Sequence, residues 1–211
     1  MLGILKKDLN LMISDNKNRL FYLLYIPLLF LIVDSYEPKW MYLVILYTYT
    51  YLTSITSFWH DISNKTSYMI NSLPISRKEI VIYRYVSTFF YFLMTIVYVG
   101  IYLWIINILG IANVDYFNLE MIKISIPIIL ISTSIVYPAY FRFEPRLAQI
   151  IHLFMFITFF IGVMNVGYLG KKSLVDNLKF LSNGKYILLI SIFLYLLSLL
   201  LSIRIYETKD L

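Results

Sequence analysis

Between residues 47 and 57 the chain reads Tyr47-Thr48-Tyr49-Thr50-Tyr51-Leu52-Thr53-Ser54-Ile55-Thr56-Ser57, hydroxyl after hydroxyl inside a run without charge from Met41 to Phe58. Ser and Thr in a helix can bond back to the carbonyl four residues earlier, which satisfies them locally. The phenols of Tyr47 and Tyr51, one helical turn apart, reach too far for that and require another helix, a headgroup or a wet cavity. The chemistry on offer is recognition: hydroxyls for the polar side of an amphipathic molecule and rings for its apolar side. Tyr47, Thr50, Tyr51 and Ser54 are the candidates for such a path. A second set lies in Phe154-Met155-Phe156, Phe159-Phe160 and Met164-Asn165. Dense Phe and Met suit adaptable apolar binding, though the same residues also make ordinary lipid-facing or core packing. Phe156 and Asn165 join the candidates, and Asn107 and Asn165 are amides deep enough in apolar runs to bridge helices.

Catalytic constellations are missing from the sequence. His60 and His152 are its two histidines and lie far apart, so no pair has metal-ligand spacing. The charge-free runs hold no paired acids for general acid and base work. Gly170-Lys171-Lys172-Ser173 lacks the spacing of a phosphate-binding loop. There is no cysteine, hence no disulfide and no thiol chemistry. An intramembrane hydrolase would need acidic or histidine clusters that these runs do not contain.

The polar interruption from Trp59 to Arg84 carries a helix start. Ser76 and Glu79 in Leu73-Pro74-Ile75-Ser76-Arg77-Lys78-Glu79-Ile80 have capping-box spacing, and Ile75 with Ile80 form the accompanying hydrophobic staple. A helix therefore begins at Arg77. Upstream, Ile62, Thr66, Met69 and Leu73 recur at helical spacing until Pro74 disfavours helix at Leu73, so a short amphipathic helix ends there. Two helices meeting at an angle make an element suited to being pushed by a partner.

The elements that position these residues are membrane spans. Of 211 residues 60% are hydrophobic and 14% charged, against about 25% charged in a soluble domain. Six charge-free runs stand out: Leu20 to Val33, Met41 to Phe58, Tyr85 to Val114, Ile124 to Phe141, Leu147 to Gly170 and Tyr186 to Ile203. Most reach the roughly 20 residues that a hydrocarbon core of about 30 Å requires. The first is bounded tightly by Arg19 and Asp34 and relies on Arg19 snorkelling to the headgroups. Residues 1–18 have Leu2, Leu5, Leu9, Met12 and Ile13 on one face and Lys6, Lys7, Asp8 and Asn10 on another, the pattern of an interfacial helix. The fold class is thus all-α, with six transmembrane helices, one interfacial helix at 1–18 and a cytosolic loop at 59–84, in one membrane domain over 1–211. With the N-terminus inside, Lys and Arg divide twelve to six in favour of the inner side, so both termini are expected in the cytosol. The net charge of +6 is then an orientation signal and gives no support for nucleic-acid binding. Tyr36, Trp40 and Tyr42 on one side and Trp59, Tyr83 and Tyr85 on the other fit aromatic belts. Pro27, Pro127 and Pro138 fall within runs, where neighbouring helices can satisfy the freed carbonyls.

At Ser72-Leu73-Pro74-Ile75-Ser76-Arg77-Lys78-Glu79-Ile80-Val81 the chain resembles the membrane subunits of ATP-binding-cassette transporters of the type-two permease class, in particular a small six-span branch that includes exporters of phenol-soluble modulins. Pro138-Ala139-Tyr140-Phe141-Arg142-Phe143-Glu144-Pro145-Arg146 resembles that branch's inner turn between the fourth and fifth spans, with Glu144-Pro145 where a glycine is usual. The resemblance implies an exporter half in a bacterial plasma membrane, paired with a second permease copy and served by separate ATPase subunits. ATP and Mg would be bound there and no cofactor by this chain. It further implies a coupling helix docked on the ATPase, carried here onto Asp61, Tyr68, Met69, Leu73, Pro74, Arg77 and Lys78, with the second and fifth spans facing the pathway of an amphipathic peptide. The rival of similar size is the six-span vitamin-binding component of an energy-coupling importer. That class docks through small residues on its first helix, where this chain has Leu, Tyr, Phe and Ile.

Overall fold

The structure, a computed structural model, describes residues 6–8, 10, 20, 23–27, 38–63, 75–110, 115–168 and 184–209; for 38–40, 62–63, 164–168 and 184–185 it describes the backbone alone. Among the described residues the long elements are all helices: α1 (Pro38–Ser63), α2 (Arg77–Ile108), α3 (Leu119–Arg142), α4 (Pro145–Tyr168) and α5 (Gly184–Glu207). Four of them, α2 to α5, are long and apolar enough to cross a membrane. The first apolar run, Leu20 to Val33, lies mostly outside the described residues, as do Tyr36 and the stretch 64–74.

At 26 residues α1 also has the length of a span, but its Tyr, Thr and Ser content keeps it out of that apolar set. Burial explains how it tolerates them. Every residue from Met41 to Tyr51 is buried, so this part of α1 presents no face to solvent or lipid and needs no apolar stripe. Thr48, Ser54 and Thr56 bond back to the carbonyls of Val44, Thr50 and Leu52 at 2.8, 2.7 and 2.7 Å, as local satisfaction requires.

The chain divides into two compact units, Met1–Ile122 and Lys123–Leu211. In the first, α1 and α2 run antiparallel. Tyr49 meets Tyr98 with ring centres 5.6 Å apart, Ser57 Oγ lies 3.0 Å from Tyr91 Oη, and Asp61 pairs with Arg84. The N-terminal residues touch this pair at two levels: Lys7 and Asp8 at the Asp61 end, and Tyr25 at Tyr49, ring centres 5.6 Å apart. Along α1 the two levels are separated by about 18 Å, twelve residues at 1.5 Å each.

α2 begins where its cap says it must. Ser76 Oγ accepts from the Glu79 N–H at 3.2 Å and Glu79 Oε2 accepts from the Ser76 N–H at 3.1 Å. It ends at Ile108 instead of continuing to Val114, because Gly110 adopts φ +68° and its N–H turns back to the Asn107 carbonyl at 3.1 Å. Only glycine takes this conformation without a Cβ penalty. The exposed apolar residues of α2 run from Val86 through Phe89, Leu93, Val97, Ile101 and Ile105 to Ile108. That stripe is about 33 Å long, close to the hydrocarbon thickness, so Arg77 to Arg84 project beyond it.

Asn118, near the end of the first unit, opens α3, its Oδ1 accepting from the N–H groups of Glu120 and Met121 at 3.0 and 3.2 Å; from Lys123 on, the helix belongs to the second unit. α3 and α4 are joined by two residues, Phe143 and Glu144, with Pro145 as the first helical residue of α4, where its missing N–H costs nothing. Within the stretch Pro138 to Arg146 the chain therefore makes a tight turn between the two helices. α3 and α5 run parallel: Ser198 meets Ser134, Tyr206 meets Phe141, and Lys209 Nζ donates to the Phe141 carbonyl at 2.9 Å. Pro138 has no N–H for the Ser134 carbonyl, and Ser198 Oγ donates to that carbonyl at 2.6 Å. This is the interhelical repair expected of a proline inside a span.

Two sequence expectations need correction. Tyr42, Tyr83 and Tyr85 are buried and are not belt residues; only Trp59 of the inner set is exposed. Asp8, assigned to the polar face of the N-terminal helix, is 2% exposed and points inward. The helix start expected at Arg77 is present, and α1 continues to Ser63.

Candidate functional site

Three elements converge at the end of the α1–α2 pair that bears the 64–76 connection. α1 contributes Ser57, Phe58 and Asp61 from its last two turns. α2 contributes Tyr83, Arg84 and Tyr91, and the N-terminal helical residues contribute Lys7 and Asp8. Arg84 is the centre. Its Nη1 donates to Asp8 Oδ2 at 2.8 Å, its Nη2 pairs with Asp61, and its guanidinium stacks 5.0 Å from the Phe58 ring centre. Lys7 Nζ closes the ring, at 2.7 Å from Asp61 Oδ1 and 3.3 Å from Asp8 Oδ1. The hydroxyls of Tyr83 and Tyr91 donate to Asp8 Oδ2 at 3.0 and 3.3 Å. The side chains of Arg84 and Asp8 are 3% and 1% exposed.

Two acids against two bases leave this ring neutral, which is what permits its burial. Removing one partner of such a buried pair strands the other charge, at a cost of about 3–5 kcal/mol. The guanidinium fork holds a carboxylate from a different element on each Nη, so it fixes direction as well as distance. Chemically the cluster offers no nucleophile and no open face. Its capacity is mechanical: it binds the N-terminal segment, the end of α1 and the beginning of α2 together at the base of the 64–76 connection.

Of the coupling candidates, Asp61 belongs to this ring, Arg77 is half-buried at the first position of α2, and Lys78 beside it is exposed. Tyr68, Met69, Leu73 and Pro74 lie outside the described residues. Of the pathway candidates, Tyr47, Thr50, Tyr51 and Ser54 are buried in α1 of the first unit. Tyr47 and Tyr51 stack on each other with ring centres 5.3 Å apart and planes 10° from parallel. Phe156, in α4 of the second unit, is half-buried and packs on Phe160 at 5.0 Å. Asn165 is in α4, with its side chain outside the description. Elsewhere α4 is the most exposed of the four apolar helices, Phe154 reaching 68% exposure, as a lipid-facing helix would be.

Sequence reasoning missed Asp8, Arg84, Tyr83 and Tyr91. A signal was there: once the capping box starts a helix at Arg77, Arg84 falls between Ile80-Val81-Ile82-Tyr83 and Tyr85-Val86. A charge on so apolar a turn needs an acid close by. Among the described residues no group of His, Cys, Asp and Glu could hold a metal ion.

A family profile described as "ABC-2 family transporter protein" matches residues 3–207, nearly the whole chain and both compact units. No curated protein and no solved structure matches it. In this family ATP is hydrolysed on partner ATPase subunits. The chain belongs to the ABC-2 transporter family and is a membrane-embedded permease component of an ABC transporter, without enzymatic activity of its own.

Proposed function

We propose that the chain is the permease of a bacterial exporter that moves amphipathic peptides, or similarly lipophilic molecules, out of the plasma membrane as a homodimer driven by a separate ATPase. The observation that carries this reading is the ionic ring at the base of the 64–76 connection. It fixes both helix ends that flank the connection, so a force applied there is delivered to α1 and α2 and not lost in a loose loop. In this reading 64–76 faces the cytosol and docks on the ATPase through Tyr68, Met69, Leu73, Arg77 and Lys78. Both termini share that side, in keeping with the inner excess of Lys and Arg. The whole chain acts as one permease domain.

The pathway in this proposal is closed in the resting chain. Tyr47, Thr50, Tyr51 and Ser54 are buried and meet substrate only after α1 parts from its neighbours; on α4, Phe156 offers an apolar surface and Asn165 an amide. Reversing both charges, Arg77→Glu with Lys78→Glu, should abolish permease-stimulated ATP hydrolysis in the reconstituted complex while membrane insertion stays intact. Unchanged stimulation would remove 64–78 from the docking surface.

A further inference from the structure

The ring contains a member that the coupling reading does not require. A lever made from 64–76 needs only its two flanking helices, and Asp61 with Arg84 already joins those. Yet Arg84 spends its second Nη on Asp8, and Asp8 takes two further hydrogen bonds, from Tyr83 and Tyr91. Lys7, next to it, binds Asp61 from the other side. Lys7 and Asp8 are thus held to α1 and to α2 separately, by a part-buried pair with Asp61 and a buried pair with Arg84. Apolar packing would let the segment slide by small amounts at little cost. A fork between two carboxylates does not, because a shift that lengthens either bond leaves a buried charge short of its partner.

We propose that Asp8 and Arg84 are positioning residues of the coupling apparatus: they make the N-terminal segment a rigid part of the lever, so that a displacement of 64–76 carries this segment along with the ends of α1 and α2. The proposal rests on the reading of 64–76 as the ATPase-driven lever. Its consequence is that the stroke reaches the membrane at two places, directly through α2 and indirectly through the N-terminal residues at the headgroup level.

The chain has no native cysteine, so spin labels can be placed at Asn10→Cys and Val86→Cys, both exposed positions, in the complete permease–ATPase complex in liposomes. With native Asp8 and Arg84 the label distance should be narrow and the same without nucleotide and after trapping with ATP and vanadate. Asp8→Asn, which keeps the shape and one acceptor oxygen but removes the charge, should broaden that distance and lower permease-stimulated ATP hydrolysis about tenfold. Asp8→Glu should restore both in part, a rescue that loss of folding would not show. If Asp8→Asn fails to assemble, Arg84→Lys decides, since it keeps the charge but cannot hold two carboxylates in a fork; a broadened distance and weaker stimulation are expected. A distance that changes with nucleotide in the otherwise native chain overturns the proposal. So do unaltered distance and stimulation in Asp8→Asn or, where that variant does not assemble, in Arg84→Lys. The Arg77→Glu, Lys78→Glu variant separates the two levels. If it too leaves stimulation intact, the lever reading itself has failed; if it alone abolishes stimulation, only the role given to Asp8 and Arg84 has.

Discussion

Arg84 is the eighth residue of α2, and its guanidinium lies just below the point where the exposed apolar stripe begins at Val86. At that depth an unpaired guanidinium is costly, and its two acids come from residues 76 and 23 positions away. Arg84→Ala should therefore destabilise the permease by about 3–5 kcal/mol, measured by denaturant titration of the purified chain in detergent, and a loss below about 1 kcal/mol would mean that the pairs are screened like surface ones. The contrast with Ser76 shows what a sequence reveals at this scale. The capping box joins residues three apart and depends on local geometry alone, so its two hydrogen bonds can be read directly from Ser76 and Glu79. The partnership of Asp8 and Arg84 depends on where two distant segments fold. On a helical wheel Asp8 is simply polar, and in a count of topology charges Arg84 is simply positive.

Helices follow closely from the uncharged runs, because span length and the cost of buried charge act on each segment separately. The runs beginning at Ile124, Leu147 and Tyr186 coincide with α3, α4 and α5. The third run fails at its far end, where the Leu109-Gly110 turn stops a helix that hydropathy alone would continue. Aromatic residues near helix ends were equally ambiguous: a Tyr at an interface and a Tyr in a core have the same sequence signature, and Tyr42, Tyr83 and Tyr85 are core. Proline within a span is more informative, since it names the carbonyl that must find a new donor. Pro138 frees Ser134, and Ser198 supplies the hydrogen bond. Ser198→Ala should cost about 1–3 kcal/mol by leaving that carbonyl unpaired. Adding Pro138→Ala, which restores an N–H to the helix, should recover most of the loss; equal melting temperatures for the single and double variants would refute the pairing.

For the whole molecule, the membership shown over residues 3–207 and the internal geometry bear on different questions. The family says that the chain is a permease component; the ionic ring says which of its described residues are tied together. Within the first unit, Lys7 and Asp8 sit at the end of the α1–α2 pair that bears Asp61 and Arg84. The direct measurement is side-specific labelling of Lys78→Cys, at an exposed position in a chain with no other cysteine, using a membrane-impermeant maleimide. The account predicts no labelling of intact cells, full labelling of inverted vesicles stripped of the ATPase, and protection when the ATPase is bound. Labelling of intact cells from outside, or inverted vesicles labelled equally with and without the ATPase, would contradict it.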